Sequence, residues 1–214
     1  MVVHVARRAR EAEIGPVLVA CAERAIAEAA EAAGFRAVLT DPALPSGSDR
    51  VHAALLYADP AGAHDVVVNL QGDFPTIEPG ALRACLEPLA DPSIDIGTLV
   101  CPIADDAEAA LPSVVKAACA FAPGARVAMA PYFSRLPVPW GEGPRFHHIG
   151  VYAYRREALA RFVSLPEAPL ERREKLEQLR ALEAGLRIGC ALIKAGPFGV
   201  DTPADLERAR RILG

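Results

Sequence analysis

The residues that could do chemistry in this sequence fall in short polar groups that interrupt apolar runs. Val66-Val67-Val68-Asn69-Leu70 leads straight into Gln71-Gly72-Asp73. Gly72 permits a tight turn, and Asp73 lands where an apolar strand should end. A carboxylate there can hold a divalent cation beside a substrate phosphate, or it can satisfy the amides of the turn. A second carboxylate, Asp201, stands in Gly199-Val200-Asp201-Thr202-Pro203-Ala204-Asp205. Pro203 prefers the first helical position, so Thr202 becomes the cap and Asp205 takes the third position of a capping box. Asp201 is then left without a structural task and is a candidate metal ligand. Pro45-Ser46-Gly47-Ser48-Asp49-Arg50 precedes a helical pattern, with Asp49 as its expected cap and Arg50 in the first turn. Amides at such a start can face a phosphate or a polar base edge, although a simple capped loop accounts for the same residues.

Two further groups are polar within regular patterns. Period-two alternation over His147–Tyr154 puts His148, Gly150, Tyr152 and Tyr154 on one face. His147 and His148 then point to opposite faces and do not suit a shared metal; a lone His on a strand is more often a hydrogen-bonded structural residue. In the helical pattern around Lys175–Arg180, Leu176, Leu179, Leu182 and Leu186 form the buried stripe. Glu177 points nearly opposite and Gln178 lies on the flank, so a solvated face is expected for both.

The elements that must position these groups alternate between short β-like and helical runs. Strands are expected at 16–20, 36–39, 65–70, 94–101, 147–154 and 186–193. Helices are expected at 23–33, 49–57, 79–89, 155–162, 170–184 and 203–213. Residues 1–13 read as an amphipathic helix with Val2, Val5, Ala6 and Ala9 on its apolar face. A hairpin is expected within 113–129, broken by Pro123-Gly124, and an irregular excursion over 131–144 around the only tryptophan, Trp140. The alternation predicts βαβ units, with helices on both faces of a mixed, mostly parallel sheet, as one domain over residues 1–214. In such sheets ligands bind beyond the carboxyl ends of the strands, where Asp73 and Asp201 fall.

Composition narrows the function classes. The 214 residues are 52% hydrophobic and 23% charged, with a net charge of −4 and no long basic run. That excludes an extended nucleic-acid surface. No apolar run approaches the roughly 20 residues of a membrane span. Five widely spaced cysteines without a CxxC pair read as reduced thiols of a cytoplasmic protein, not as zinc ligands.

Taken together, these segments resemble the 3-deoxy-manno-octulosonate (Kdo) cytidylyltransferases, or CMP-Kdo synthetases. Pro-Ser-Gly-Ser-Asp-Arg at 45–50 is similar to that family's S-G-[ST]-[DE]-R, and Asn-Leu-Gln-Gly-Asp-Phe-Pro at 69–75 to its N-x-Q-G-D-E-P. Tyr132-Phe133-Ser134-Arg135 with Pro139-Trp140 resembles YFSR…PW, and His148-Ile149-Gly150-Val151-Tyr152 resembles H-[LI]-G-[IV]-Y. Leu176-Glu177-Gln178-Leu179-Arg180 and Gly199-Val200-Asp201-Thr202-Pro203 are the family's strings unchanged, all six in order along the chain. The resemblance implies a Rossmann-like nucleotidyltransferase fold and a homodimer. The implied reaction moves CMP from CTP to the anomeric hydroxyl of Kdo with Mg²⁺, for lipopolysaccharide synthesis. By motif position, Asp73 and Asp201 would be the metal ligands and, with Arg135, the catalytic residues. Gln71, Arg135, His148, Tyr152, Glu177 and Gln178 would line the sugar site, so Glu177 should face a cleft. Ser46, Gly47, Ser48 and Arg50 would help recognise the nucleotide.

The sequence departs from the family pattern at three places. The family opens with a strand and a loop of the type I-P-A-R-x-x-S-[TS]-R-L-P-G-K-P-L that grips the triphosphate, and Met1 aligns within the helix after it. The resemblance therefore implies a start upstream of Met1, a fold with the N-terminal strand missing, and negligible CMP-Kdo synthesis by the sequence as it stands. Val19-Ala20-Cys21-Ala22-Glu23 replaces an A-T-D-like strand end, and Phe74 replaces the Glu of Q-G-D-E-P. Cys21 and Phe74 lie outside the opening segment and support an alternative, a catalytically inactive relative that acts as a binding or dimerisation module. A second alternative is transfer to a related acidic sugar, such as sialic acid or 8-amino-Kdo.

Overall fold

The apolar stripe of the first residues forms α1 (Val2–Glu11), whose Val5 and Ala6 are buried. The computed structural model describes residues 1–200 and 202–213. These residues divide into two compact units. The first holds 1–65, 69–83 and the chain after 196; the second holds 66–68 and 84–196.

In the first unit, β1 (Leu18–Cys21) pairs in parallel with β2 (Arg36–Leu39), and α2 (Arg24–Ala32) makes the crossover. Ala6, Val19, Cys21, Ala27, Ala30 and Phe35 form its core. The small side chains of α2 let the helix lie close to the strands, and Phe35 fills the end. Cys21 is therefore a packing residue, 4% exposed. After β2 comes α3 (Gly47–Ala58). This helix starts two residues earlier than the sequence suggests, because Ser46 and not Asp49 is the cap. The Ser46 hydroxyl accepts from the Asp49 N–H at 3.2 Å and donates to the Asp49 carboxylate at 2.6 Å. Later in the chain α4 (Pro79–Leu86) belongs mostly to this unit. After Gly196, α9 (Pro203–Leu213) begins with the expected capping box: Asp205 N–H donates to Thr202 Oγ1, and Thr202 N–H to the Asp205 carboxylate.

The second unit is built on β8 (Phe146–Arg155), the longest strand. It pairs with β4 (Ile96–Pro102), β5 (Lys116–Ala118) and β3 (Val66–Asn69), and the sheet continues through β9 (Ile188–Leu192), β6 (Val127–Met129) and β7 (Tyr132–Ser134). The α/β class and the mixed sheet are as expected. The parallel majority is not: among the described registers, parallel pairing is confined to β1–β2 and β4–β9, while β4–β8, β5–β7, β5–β8 and β6–β9 are antiparallel. Parallel neighbours need a crossover, usually a long helix, and residues 103–145 between β4 and β8 carry one five-residue helix and three short strands that join the same sheet instead. The hairpin expected within 113–129 does not form, because β5 joins β7 and β8 while β6 joins β9. The excursion after residue 131 contains β7, and a short helix, α5 (Asp106–Ala110), lies where none was expected.

The helices of this unit are α6 (Arg156–Ser164), α7 (Pro169–Glu174) and α8 (Gln178–Glu183). The single helix expected over 170–184 is broken at Lys175, which adopts left-handed backbone (φ 57°). A buried ion pair ties the two halves: Arg180 donates to both Glu171 oxygens at 2.8 and 2.6 Å, and the Ala168 N–H donates to Glu171 as well. Arg180 also lies over the Phe162 ring at 5.1 Å.

Candidate active site

In the first unit, the loop before α3 and the end of β3 converge. Asn69 is 2% exposed and donates to the buried Ser48 hydroxyl at 3.3 Å. Its side-chain oxygen accepts from Gln71 Nε2 at 2.9 Å. Gly47 has to be glycine for Gln71 to stay there, since a Cβ at Gly47 would lie 2.9 Å from Gln71 Nε2. Ser46, Gly47, Ser48 and Gln71 are thus brought together, with Asn69 as the link. Asn69 did not figure among the candidates, although a polar residue ending a valine run is a legible signal. Arg50 donates to the Thr40 hydroxyl at 2.5 Å and to the Asp41 carbonyl, which ties it to the end of β2.

Asp73 sits in the turn that follows β3. Its backbone carbonyl accepts from the Val200 N–H at 3.0 Å. The residue just before Asp201 is therefore bonded to the Asp73 turn, while Asp201 itself lies outside the described residues. Among the described residues no three acidic, His or Cys groups cluster as a metal site. A Mg²⁺ ion held mainly by substrate phosphates needs only one or two carboxylates, and that fits this turn.

In the second unit, one face of β8 carries the rings of His148, Tyr152 and Tyr154 in a row, with centroids 5.5 and 5.7 Å apart. This is the face the alternation predicts. The His148 ring is walled by Phe133 at 4.8 Å, and its Nε2 lies 3.0 Å from the Thr98 hydroxyl. Burial, helped by the neighbouring His147, pushes its pKa down to about 3, so the ring is neutral at ordinary pH. The Tyr152 hydroxyl donates to Gln178 Oε1 at 3.2 Å. Burial first, then Tyr154 and Glu177, push the Tyr152 pKa well up, so it stays a donor.

Gln178 is 5% exposed, not on a solvated flank, and its Nε2 is buried without a hydrogen-bond partner among the described residues. The break at Lys175 is the reason. It rotates α8 against α7, so the residues that one continuous helix would have carried outward turn inward. Glu177, at the start of α8, is half-buried for the same reason.

Arg135 is held by backbone. Its guanidinium donates to the carbonyls of Glu174 at 2.7 Å, Pro112 at 2.9 Å and Lys175 at 3.1 Å. Glu174 in turn accepts from the Arg135 N–H and the Ser134 hydroxyl, both at 2.9 Å. The buried Lys116 ammonium donates to the Arg135 and Leu111 carbonyls, and burial pulls its pKa down. Arg135 therefore fastens the Lys175 corner that carries Glu177 and Gln178. Glu174 and Lys116 complete that fastening and were not legible in the sequence, because their partners come from distant strands.

The cytidylyltransferase family model matches residues 1–188. The 3-deoxy-manno-octulosonate cytidylyltransferase of Rhodospirillum centenum is 64% identical over 213 residues, covering 100% of this chain and 83% of that protein. This chain belongs to the 3-deoxy-manno-octulosonate cytidylyltransferase family. Another family member, from Paramagnetospirillum magneticum, is 56% identical over 213 residues, covering 100% of this chain and 87% of that protein. A solved CMP:2-keto-3-deoxy-manno-octonic acid synthetase in complex with CTP superposes with a TM-score of 0.88 at 36% identity, covering 99% of this chain and 86% of that one. A 4-diphosphocytidyl-2C-methyl-D-erythritol synthase, 15% identical with a TM-score of 0.62, shares the fold alone. In this cytidylyltransferase the motif residues form two groups: Ser46, Gly47, Ser48, Gln71 and Asp73 in one unit, and Arg135, His148, Tyr152, Glu177 and Gln178 in the other.

Proposed function

We propose that the protein transfers CMP from CTP to 3-deoxy-manno-octulosonate, releasing pyrophosphate. The observation that carries this reading is the polar set His148, Tyr152 and Gln178 in a buried aromatic wall, within a chain 64% identical to a relative of that name. A sugar acid offers hydroxyl donors and carboxylate acceptors, and His148 and Gln178 supply one acceptor and one donor. Asp73 and Asp201 would hold Mg²⁺, which supplies Lewis-acid polarisation of the α-phosphate and offsets charge on the departing pyrophosphate. The Val200–Asp73 bond supports this pairing. Reduced chemistry at all five cysteines, each free and buried, supports a cytoplasmic setting. No helix among the described residues is long and apolar enough to cross a membrane.

The test combines calorimetry with Kdo and pyrophosphate release from CTP. Tighter binding of Kdo than of N-acetylneuraminate, with Kdo-dependent release, supports the reading. Release that is faster with N-acetylneuraminate overturns the choice of sugar. Kdo binding with no release, even with excess Mg²⁺, favours the binding-module alternative that Cys21 and Phe74 motivate.

One prediction concerns the loop before α3. Gly47→Ala should push the Gln71 amide aside. The clash is with the end of a flexible side chain, and Ala is the better helix former, so the melting temperature should hold within about 4 °C. If Gln71 lines the sugar site, its displaced amide should lose one hydrogen bond of about 1 kcal/mol to Kdo and weaken Kdo binding roughly fivefold in calorimetry.

The homodimer is a further part of the proposal. Trp140 is 99% exposed and Leu136 71% exposed, the two most exposed large apolar side chains of the second unit. Buried tryptophans dominate interface energies at about 2 kcal/mol or more. Trp140→Asp should therefore weaken self-association about 30-fold in sedimentation equilibrium. Unchanged association would place the interface elsewhere.

A further inference from the structure

Thr98 stands in the middle of β4, fully buried at 0% exposure, in an otherwise apolar run. A lone hydroxyl in such a strand must find partners, and Thr98 has three. Its Oγ1 lies 2.8 Å from the Val151 carbonyl, 3.3 Å from the Ile149 carbonyl and 3.0 Å from His148 Nε2. The two carbonyls are within reach because the β4–β8 ladder slips there. Thr98 faces Tyr152 and Leu99 faces Ile149, which leaves Gly150 and Val151 out of register as a bulge.

Hydrogen-bond bookkeeping then decides the histidine. A carbonyl oxygen only accepts, and a threonine hydroxyl has one proton. That proton goes to Val151, shared in part with Ile149, so Thr98 can only accept from His148. In a neutral imidazole one nitrogen carries the proton and the other is bare. Nε2 must carry it, and Nδ1 is left as an acceptor. Among the described residues no hydrogen bond engages Nδ1. The Phe133 and Tyr152 rings flank the imidazole and offer it no competing charge.

We propose that Thr98 is a positioning residue that fixes His148 in its Nε2–H tautomer, so that His148 reads a ligand hydroxyl through Nδ1. The ligand class is a polyhydroxylated sugar whose O–H points at that nitrogen. The ligand half of this inference rests on the placement of His148 in the sugar site; the tautomer half does not.

The experiment is a long-range ¹H–¹⁵N correlation spectrum of the protein labelled with ¹⁵N-histidine. His148 is assigned by the loss of its signals in His148→Gln. The expected spectrum shows a protonated Nε2 and a bare Nδ1 at neutral pH. Thr98→Val should mix or invert the tautomers, and Thr98→Ser should restore them. Saturating Kdo should move the Nδ1 signal and leave Nε2 in place, and Thr98→Val should weaken Kdo binding about tenfold while Thr98→Ser stays within twofold. A protonated Nδ1 in the unaltered protein, or a tautomer unchanged in a folded Thr98→Val protein, overturns the proposal. If Thr98→Val does not fold, the unaltered and Thr98→Ser spectra still decide it. Kdo binding that leaves Nδ1 unmoved overturns the hydroxyl readout. Absence of Kdo binding to the unaltered protein counts against the sugar-site reading, and the tautomer result is then judged on its own.

Discussion

Asp73→Asn is expected to abolish tight Mn²⁺ binding in the presence of CTP and to cut whatever pyrophosphate release the unaltered sequence supports about 10³-fold. The amide keeps the shape of the side chain but removes the negative charge that a hard cation needs. A carboxylate–metal contact that offsets transition-state charge contributes several kcal/mol, and about 4 kcal/mol corresponds to 10³ in rate. Asn keeps the backbone carbonyl that receives the Val200 N–H, so the link between the Asp73 turn and Val200 should be retained. Electron paramagnetic resonance of bound Mn²⁺ measures the first effect without requiring turnover. Undiminished Mn²⁺ binding in Asp73→Asn would remove Asp73 from the metal site.

Glu171→Gln should destabilise the fold by about 3–5 kcal/mol, because it leaves the Arg180 charge in a site where both side chains are nearly sealed from water. At about 2–4 °C per kcal/mol, the melting temperature should fall by roughly 10 °C. Replacing both partners together, Glu171→Leu with Arg180→Met, should recover much of that loss, since no buried charge then remains. The effect also has a pH signature. Burial alone would raise the Glu171 pKa, but hydrogen bonds from Arg180 and Ala168, with the Arg180 and Arg172 charges, outweigh it and hold the carboxyl below its ordinary 4.5. A depressed folded pKa means stabilisation that is fully present above the unfolded value and lost as pH falls through the folded one. Urea midpoints of the two proteins should therefore differ by a constant amount from pH 6 to 8 and converge below about pH 4.5. A constant gap down to pH 3 would contradict the ion pair.

The α7–α8 corner ties these predictions to the site. The same Glu171–Arg180 pair that holds α8 against α7 also keeps Gln178 turned inward, beside the Tyr152 hydroxyl. Arg135 and Glu174 brace the corner from the β7 side. Loosening it should be felt at Gln178 and Tyr152 before the sheet is disturbed.

The amino-acid sequence determined a good deal alone. Local periodicity placed β2, α9 and its capping box, and the rings of β8 on one face, because these depend on residues two to four positions apart. The order of the six motifs fixed the family. Tertiary structure decided what distant residues do to one another. The left-handed Lys175 converts one expected helix into two and reverses the exposure of Gln178; no local periodicity signals it, since the stabilising pair spans the break. The antiparallel pairings of β5 and β6 depend on which long strand lies beside them, and an apolar run does not name its partner. Thr98 looked like one more strand residue until a bulge 50 residues away brought two carbonyls and a histidine to its hydroxyl. Chemistry carried by one residue type at one spacing is legible in sequence. Chemistry that rests on which nitrogen holds a proton is legible only once the partners are in place.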